Sequence, residues 1–195
     1  MECGLLFSAG KDSSLSALLL EEFYDVTLVT ATFGITDDWT HARDAAGALG
    51  FPFERVELSE DVAREATDRM REDGFPRAGI QAVHEAALEA VADRYDVVAD
   101  GTRRGDRVPT ISRAVAQSLE DRHGVDYVAP LSGFGRGAID RLVEARLAVE
   151  SGPSESIKKG DYETELRALI EARWGAGTVA EVFPEHEQTR VVGRS

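Results

Sequence analysis

A run of small and polar residues near the N-terminus has the composition of an anion-binding turn. It reads Ser8-Ala9-Gly10-Lys11-Asp12-Ser13-Ser14. Serine hydroxyls and main-chain N–H groups at the start of a helix can donate hydrogen bonds to phosphate oxygens, and Gly10 lets an anion approach the backbone. The positive charge of Lys11 favours the same ligand. The pattern indicates phosphate binding, and the alternative is an ordinary turn in which Asp12 or Ser13 caps the helix.

A second cluster of charged residues combines three arginines with two aspartates and two glycines. It reads Asp100-Gly101-Thr102-Arg103-Arg104-Gly105-Asp106-Arg107. The guanidinium fork binds phosphate or carboxylate groups through paired hydrogen bonds, and glycines allow a loop to follow a ligand closely. The alternative is a solvated loop whose arginines and aspartates pair with one another at little energetic gain.

Alternating strand and helix patterns place both clusters at the same edge of a predicted sheet. Apolar, β-branched runs predict strands at 5–7, 26–33, 53–58, 96–99 and 126–129. Amphipathic stretches bounded by capping residues predict helices at 13–20, 39–49, 59–72, 77–94 and 111–123. Such alternation is typical of a parallel sheet with helices on both faces. Ligands of these folds bind beyond the carboxyl ends of the strands, where both clusters are expected.

The first cluster matches neither of two common glycine-rich nucleotide motifs, G-x-x-x-x-G-K-S/T and G-x-G-x-x-G. The run Ser8 to Ser13 instead resembles the PP-loop, S-G-G-x-D-S, of the N-type ATP pyrophosphatases, the adenine nucleotide alpha-hydrolase superfamily. Ala9 replaces the commoner glycine, and the turn is expected to form with Ala9 at negative φ. The resemblance implies a Rossmann-like, HUP-type α/β/α sandwich in which the five parallel strands take the order 3-2-1-4-5.

The activity that this resemblance implies is cleavage of ATP between its α- and β-phosphates, with Mg²⁺ as the metal ion. An acceptor oxygen attacks the α-phosphorus and pyrophosphate leaves. The adenylated acceptor is then attacked by ammonia, an amine or sulfur, which displaces AMP. The protein contributes positioning and charge stabilisation. We therefore expect an adenylating, ligase-like enzyme whose acceptor is a small molecule or a tRNA.

The resemblance also assigns roles to individual residues. The expected ATP-binding residues are Ser8, Ala9, Gly10, Lys11, Asp12, Ser13, Ser14, Thr32, Phe33, Gly101, Thr102 and Arg104. The expected catalytic residues are Lys11, Asp12, Arg103 and Arg107, with Asp12 also a ligand of Mg²⁺. Main-chain groups of Thr32 and Phe33, at the end of the second strand, are expected to contact adenine. Asp37 and Asp38 just beyond them can hold Mg²⁺ through water or cap the next helix.

The last third of the chain is predicted to be a helical extension. It covers residues 132–195 and is expected to share one globular unit with the nucleotide-binding domain, 1–131. Helices are expected at 138–149 and 162–173, and the polar tail 182–190 can dock or fray.

Two features of this extension have more than one interpretation. The glycine-rich stretch 133–137, with Arg136, is either a lid over the site or a simple turn. Lys158 and Lys159 either serve phosphate as point charges or belong to a surface loop in which Asp161 caps the following helix.

The composition is strongly acidic, with 36 Asp and Glu against 22 Lys and Arg and a formal net charge of −14. Such a surface repels nucleic-acid phosphates unless basic residues are concentrated in one patch. Because acid-rich, lysine-poor chains are typical of a high-salt cytoplasm, we expect an archaeal, halophile-like member of the superfamily. No apolar run approaches the ~20 residues of a membrane span and no signal-peptide pattern is present, so a cytoplasmic protein, monomeric or homo-oligomeric, is expected.

The chain has a single cysteine, Cys3. It excludes an intramolecular disulfide and any cysteine-based zinc or iron–sulfur site made by this chain alone. Cys3 begins the first strand, roughly 15 Å from its carboxyl end, so a small buried core residue is predicted. Sulfur transfer would then need an external donor. His84 lies beside the apolar stripe of the fourth predicted helix, where a packing role is favoured over a catalytic one.

Three other functions are compatible with these residues. One is a tRNA-modifying sulfurtransferase that uses an external sulfur donor. Another is a nucleotide sensor that binds ATP without cleaving it, although such sensors usually carry their phosphate loop late in the chain. The third is a partner subunit that uses the fold for assembly, since Ala9 departs from the motif.

Overall fold

A five-stranded parallel sheet forms the centre of the molecule, in a computed structural model that describes residues 1–153, 157, 159–184 and 187–195. The strands are β1 (Glu2–Leu6), β2 (Asp25–Thr32), β3 (Phe53–Glu57), β4 (Val97–Ala99) and β5 (Asp126–Val128). They lie in the order β3-β2-β1-β4-β5, which confirms the predicted order. The order reverses at β1, so the crevice beside its carboxyl end is the switch point of the sheet.

Five helices connect these strands and cover both faces of the sheet. They are α1 (Lys11–Leu20), α2 (Trp39–Leu49), α3 (Glu60–Asp73), α4 (Arg77–Ala92) and α5 (Arg113–His123). Serine hydroxyls cap α3 and α5, and left-handed glycines follow α2, α3 and α5. Among the helices of the described ranges, none has the combined length and apolar character needed to cross a bilayer.

Two hydrophobic cores lie on opposite faces of the sheet because strand side chains alternate. Leu5 and Leu28 pack with α1 and α2, whereas Leu6 and Val29 pack with α3 and α4. Cys3 is fully buried in the first of these cores, which confirms its predicted place. Burial raises the pKa of the Cys3 thiol to about 12, so the thiolate needed for sulfur chemistry is disfavoured.

The C-terminal segment contains helices, as predicted, together with two strands that were not predicted. Its elements are α6 (Arg136–Arg146), β6 (Leu147–Pro153), α7 (Tyr162–Trp174), α8 (Ala176–Val182) and β7 (Glu187–Arg194). The helix expected at 138–149 therefore stops at Arg146, and part of the tail becomes β7, which pairs antiparallel with β6. Strand partners this far apart in sequence leave no local periodic signal. The segment contributes side chains to both cores.

Candidate functional site

The loop after β1 is held by main-chain bonds on two sides. The N–H of Phe7 donates to the carbonyl of Val29 at 2.8 Å, and the N–H of Val191 in β7 donates to the carbonyl of Ala9 at 2.8 Å. Ala9 has φ of +62°, so the expected negative φ is wrong. A left-handed alanine costs about 1–2 kcal/mol, which burial and pairing with β7 must offset.

Helix α1 begins at Lys11 with Gly10 as its N-cap, which rules out Asp12 and Ser13 as capping residues. The Ser13 hydroxyl donates to the carbonyl of Gly10 at 3.2 Å and lies 3.4 Å from the Ser8 hydroxyl. The N–H of Lys11 donates to the Thr189 hydroxyl at 3.3 Å. Within the described parts of the chain, the N–H groups of Asp12 and Ser13 have no acceptor. The positive end of α1 is therefore directed at the loop with two donors available to an anion.

Asp12 carries a poorly compensated negative charge at this helix end. Its Oδ2 lies 3.5 Å from Nη1 of Arg103, and its buried Oδ1 has no hydrogen-bond partner among the described residues. Burial raises the pKa of Asp12, although Arg103 and Lys11 act against the shift. Such an oxygen fits a Mg²⁺ ion, which proteins often bind through one or two carboxylates together with substrate oxygens. The part of the chain that the structure describes has no group of three or more metal-ligating side chains, so substrate oxygens would complete the coordination.

The loop after β4 packs directly against the start of α1. A methyl group added at Gly101 would lie 2.8 Å from the main-chain nitrogen of Ser13, so only glycine allows this approach. Arg103 forks onto Oδ1 of Asp106 at 3.0 and 2.7 Å, and this hydrogen bond raises the pKa of Arg103. Arg103 thus joins Asp12 to Asp106, whereas Arg104 and Arg107 are exposed.

A buried polar chain begins at Asp100, which is 1% exposed. Its Oδ1 accepts from the N–H and hydroxyl of Thr102 at 2.9 and 2.6 Å, and its Oδ2 accepts from the Tyr127 hydroxyl at 3.0 Å. Nε2 of His84 lies 2.8 Å from Oδ2, and Nδ1 of His84 lies 3.0 Å from the Tyr162 hydroxyl. Burial alone would raise the pKa of Asp100, but the hydrogen bonds from His84 and Thr102 hold it below its usual value.

A cavity of about 380 Å³ opens at the carboxyl ends of β1 and β4 and joins these groups. Its polar wall contains Ser8, Asp12, Ser13, Asp100, Gly101, Thr102 and Asp106. Its apolar wall includes Ile80, Val108 and Phe183, and the C-terminal segment adds Asp161 and Tyr162. Five of the expected site residues thus line the cavity: Ser8, Asp12, Ser13, Gly101 and Thr102. The expected residues outside its lining are Ala9, Gly10, Lys11, Ser14, Thr32, Phe33, Arg103, Arg104 and Arg107.

Sequence reasoning missed the contribution of two residues to this cavity. His84 is buried and packed, as predicted, but it also forms part of the wall. Tyr162 comes from a helix 78 residues further along the chain than His84. A histidine on the sheet-facing stripe of α4 was the available signal, whereas nothing local marked Tyr162.

The end of β2 is closed by Glu165 of α7, which is 3% exposed. One carboxylate oxygen accepts from the N–H of Phe33 at 2.7 Å, and the other accepts from the Thr32 hydroxyl and the N–H of Ile35, both at 2.9 Å. The N–H expected to face adenine therefore already has an acceptor. Asp38 is the N-cap of α2, but its side chain accepts from the Thr36 hydroxyl at 2.7 Å and not from the helix.

Lys159 extends from the C-terminal segment to the loop after β1. Its Nζ lies 3.3 Å from Oδ2 of Asp161 and 3.8 Å from the position a methyl group at Gly10 would take. Asp161 caps α7, accepting from the N–H of Thr164 at 3.2 Å, which agrees with one of the two interpretations of this segment. Lys158 lies outside the described residues. The stretch 133–137 is exposed, with Arg104 about 4.0 Å from a methyl position at Gly135.

Comparison with known proteins gives matches that cover nearly all of this chain. The chain is 40% identical over 194 residues to Uncharacterized protein MJ0690 of Methanocaldococcus jannaschii, covering 99% of this chain and 96% of that one. The crystal structure of a predicted subunit of tRNA methyltransferase from Methanocaldococcus jannaschii matches with a TM-score of 0.91 and 40% identity, covering 100% of this chain and 98% of that one. The U34-tRNA thiolase NcsA of Methanococcus maripaludis, solved with its 4Fe–4S cluster, gives a TM-score of 0.49 and 16% identity over 93% of this chain and 70% of that one.

The family comparison covers nearly the whole chain. The model of a family of unknown function, DUF7411, matches residues 1–193, and so includes the loop after β1, the loop after β4 and the C-terminal segment. The chain belongs to the family DUF7411.

Proposed function

We propose that this protein binds ATP at the cavity and cleaves it between the α- and β-phosphates to adenylate an acceptor. The observation that carries the proposal is the start of α1. Two N–H groups without an acceptor among the described residues, the hydroxyls of Ser8 and Ser13 and the positive helix end converge beside one cavity at the switch point of the sheet. A triphosphate is the anion that uses all of these groups.

The positive charges of the site would hold the leaving pyrophosphate. Lys159 already lies near Gly10, and Lys11 is held at 3.2 Å from Asp140, from which it can move to a phosphate. Asp12 would hold Mg²⁺ through its unpartnered oxygen, and the ion would offset charge on the phosphates. Charge stabilisation by groups already in place is the main catalytic contribution expected of such a site.

Arg103 would contribute by changing partner. Its guanidinium donates to Asp106 and lies near Asp12. An α-phosphate beside Asp12 would compete with Asp12 for Nη1 of that guanidinium, while Asp106 keeps the side chain oriented. We assign Arg103 to the transferring phosphate, and the exposed Arg104 and Arg107 to the acceptor side of the cavity.

We infer that the acceptor belongs to a tRNA. The support is the full-length likeness to the Methanocaldococcus jannaschii protein described as a predicted subunit of tRNA methyltransferase. The exposed Arg104 and Arg107 provide positive charge beside the cavity of an acidic chain, as a nucleic-acid partner requires. If the second step transfers sulfur, the donor is external, because Cys3 is buried at the opposite end of β1.

The test is to incubate the protein with Mg²⁺ and α-labelled ATP, with and without total tRNA, and to separate the products. We expect AMP and pyrophosphate, formed faster with tRNA, and a fall of about a hundredfold or more in Asp12→Asn. Glu60→Gln, a change at an exposed residue of α3, is the control and should keep the wild-type rate. Release of ADP and phosphate would overturn the proposal. ATP that binds but stays intact in every tRNA preparation would favour the nucleotide sensor.

A further inference from the structure

We propose that Tyr162, oriented by His84 and Asp100, recognises the base of the bound nucleotide, and that its phenolic oxygen accepts a hydrogen bond from an exocyclic amino group. The proposal rests on the proposed function, because it assumes that the phosphates lie at the start of α1. It assigns a specificity-determining residue to the C-terminal segment, and His84 and Asp100 act as positioning residues through Tyr162.

The end of β2 is not available to a base. The N–H of Phe33 donates to Glu165 at 2.7 Å, and the neighbouring N–H of Ile35 donates to the same carboxylate at 2.9 Å. Glu165 is buried and is fixed by its place on α7. Releasing it would leave buried donors unpaired, which costs about 1–3 kcal/mol for each group. A base must therefore find its polar partner elsewhere in the cavity.

The shape and chemistry of the cavity suit a base. From the polar wall at Ser8 and Ser13 it continues between Ile80, Val108 and Phe183, which are apolar and suit a flat ring. Tyr162 and His84 line the same space. In a mostly apolar cavity, a ligand is selected by the few polar groups of the wall, here those of His84 and Tyr162. A polar ligand atom that finds no hydrogen-bond partner there is buried at a cost in free energy.

The hydrogen bonds that join Asp100, His84 and Tyr162 have a fixed direction. An ionised Asp100 can only accept, so Nε2 of His84, 2.8 Å from Oδ2, must carry the proton. In a neutral imidazole Nδ1 is then an acceptor, and the Tyr162 hydroxyl at 3.0 Å must donate to it. The remaining lone pair of the Tyr162 oxygen can only accept. Burial raises the pKa of Tyr162, which keeps this hydroxyl protonated. Adenine, with an amino group, is therefore favoured over guanine, with a carbonyl at the equivalent ring position.

The experiment is isothermal titration calorimetry with α,β-methylene ATP and α,β-methylene GTP in the presence of Mg²⁺ at pH 8. Both probes resist cleavage at the proposed bond, so binding is measured without turnover. We expect the wild type to prefer the adenine probe by about tenfold or more, the value of one well-placed hydrogen bond. Tyr162→Phe should reduce the preference to about threefold or less. Tyr127→Phe is the matched control, because the Tyr127 hydroxyl belongs to the same polar network, donating to Asp100, but Tyr127 does not line the cavity. This variant should keep the wild-type preference.

His84→Ala tests the role of His84 as a positioning residue. It removes the acceptor that lies 3.0 Å from the Tyr162 hydroxyl, so the preference for the adenine probe should fall as it does in Tyr162→Phe. Equal binding of the two probes by the wild type, or an unchanged preference in Tyr162→Phe, would overturn the inference and leave nucleotide binding in place. Failure of the wild type to bind either probe would instead overturn the proposed function.

Discussion

Two loops leave the sheet side by side at the carboxyl ends of β1 and β2, and they differ in how their N–H groups are used. The first loop, residues 7–10, leads into α1, where the N–H groups of Asp12 and Ser13 have no acceptor among the described residues. The second loop, residues 33–36, gives three N–H groups to the carboxylate of Glu165. Both loops thus present N–H groups to an anion. In the second loop that anion is the carboxylate of Glu165, from the chain itself.

The C-terminal segment produces this difference. Val191 and Thr189 of β7 bond the first loop and the first residue of α1, which fixes the backbone without filling its remaining donors. Glu165 of α7 instead fills the second loop with a negative charge from 132 residues beyond Phe33. The C-terminal segment therefore occupies the donors of the second loop and leaves the N–H groups of Asp12 and Ser13 without an acceptor among the described residues.

Removing the carboxylate of Glu165 should have the largest effect on stability. Glu165→Ala leaves the Thr32 hydroxyl and the buried N–H groups of the second loop without their acceptor, so we expect a loss of about 3–5 kcal/mol. The melting temperature should fall by roughly 10 °C, which thermal unfolding followed by circular dichroism would measure. Glu171→Ala, at an exposed position of the same helix, is the control and should change stability by at most about 0.5 kcal/mol. Equal effects of the two changes would show that Glu165 does not hold the second loop.

Separating the start of α1 from the loop after β4 should have a smaller effect. In Gly101→Ala the new methyl group would lie 2.8 Å from the nitrogen and 2.9 Å from the Cα of Ser13, so the two segments must move apart. We expect a loss of about 1–3 kcal/mol, measured by denaturant unfolding. Nucleotide affinity should fall as well, because Asp12 and Ser13 move relative to the rest of the cavity.

The matched change for this prediction is Gly105→Ala. A methyl group there meets no atom within 4 Å among the described residues, so stability and affinity should stay at wild-type values. A Gly101→Ala protein that behaves like Gly105→Ala would contradict the close packing of the loop after β4 against the start of α1.

The parts of this arrangement that the sequence could predict are those with local signals. Apolar runs and helix periodicity were sufficient for the five central strands, and the small polar residues between β1 and α1 marked the first loop. The order of the strands came from the resemblance to the PP-loop superfamily. Asp12 and Gly101 were identified because the family motif and the strand ends pointed to them. These features depend on neighbours within a few residues, where pattern and propensity apply.

The remaining parts depend on contacts distant in sequence. Neither Glu165 nor Tyr162 has a local pattern, since each looks like an ordinary helix residue until α7 is placed against the sheet. The left-handed backbone at Ala9 likewise depends on its bond to β7, whose own partner β6 lies about 40 residues earlier. A carboxylate in a helix is normally solvated, so its burial against a loop cannot be inferred from residue type.

Asp12 and Asp100 should respond in opposite ways to loss of their charge. The folded-state pKa of Asp12 is raised, so its ionised form destabilises the fold above that pKa, and the penalty disappears as the pH falls below the ordinary carboxyl value of about 3.9. Asp12→Asn should therefore raise the melting temperature at pH 7 and lose that gain in acid. The folded-state pKa of Asp100 is lowered, so its contribution is present at pH 7 and lost in acid, and Asp100→Asn should lower the melting temperature at pH 7. Thermal melts between pH 3 and 7 would measure both, and a lower melting temperature in Asp12→Asn at pH 7 would contradict the assignment of a poorly compensated charge to the start of α1.

The smallest effect is expected for Ala9→Gly. Glycine relieves the left-handed strain of about 1–2 kcal/mol, but it removes a buried methyl group worth about 0.8 kcal/mol and adds a backbone entropy cost of roughly 0.5–1 kcal/mol. These opposing contributions leave an expected change within about 0.5 kcal/mol of zero, measured by denaturant unfolding, whereas Ala9→Val should destabilise clearly because a β-branched residue is strained at φ of +62°. The bond from Val191 to the carbonyl of Ala9 uses only main-chain atoms, so Ala9→Gly should keep the wild-type nucleotide affinity. A large loss of nucleotide affinity in Ala9→Gly would mean that the side chain at this position, and not the hydrogen bond from β7, maintains the conformation of the first loop.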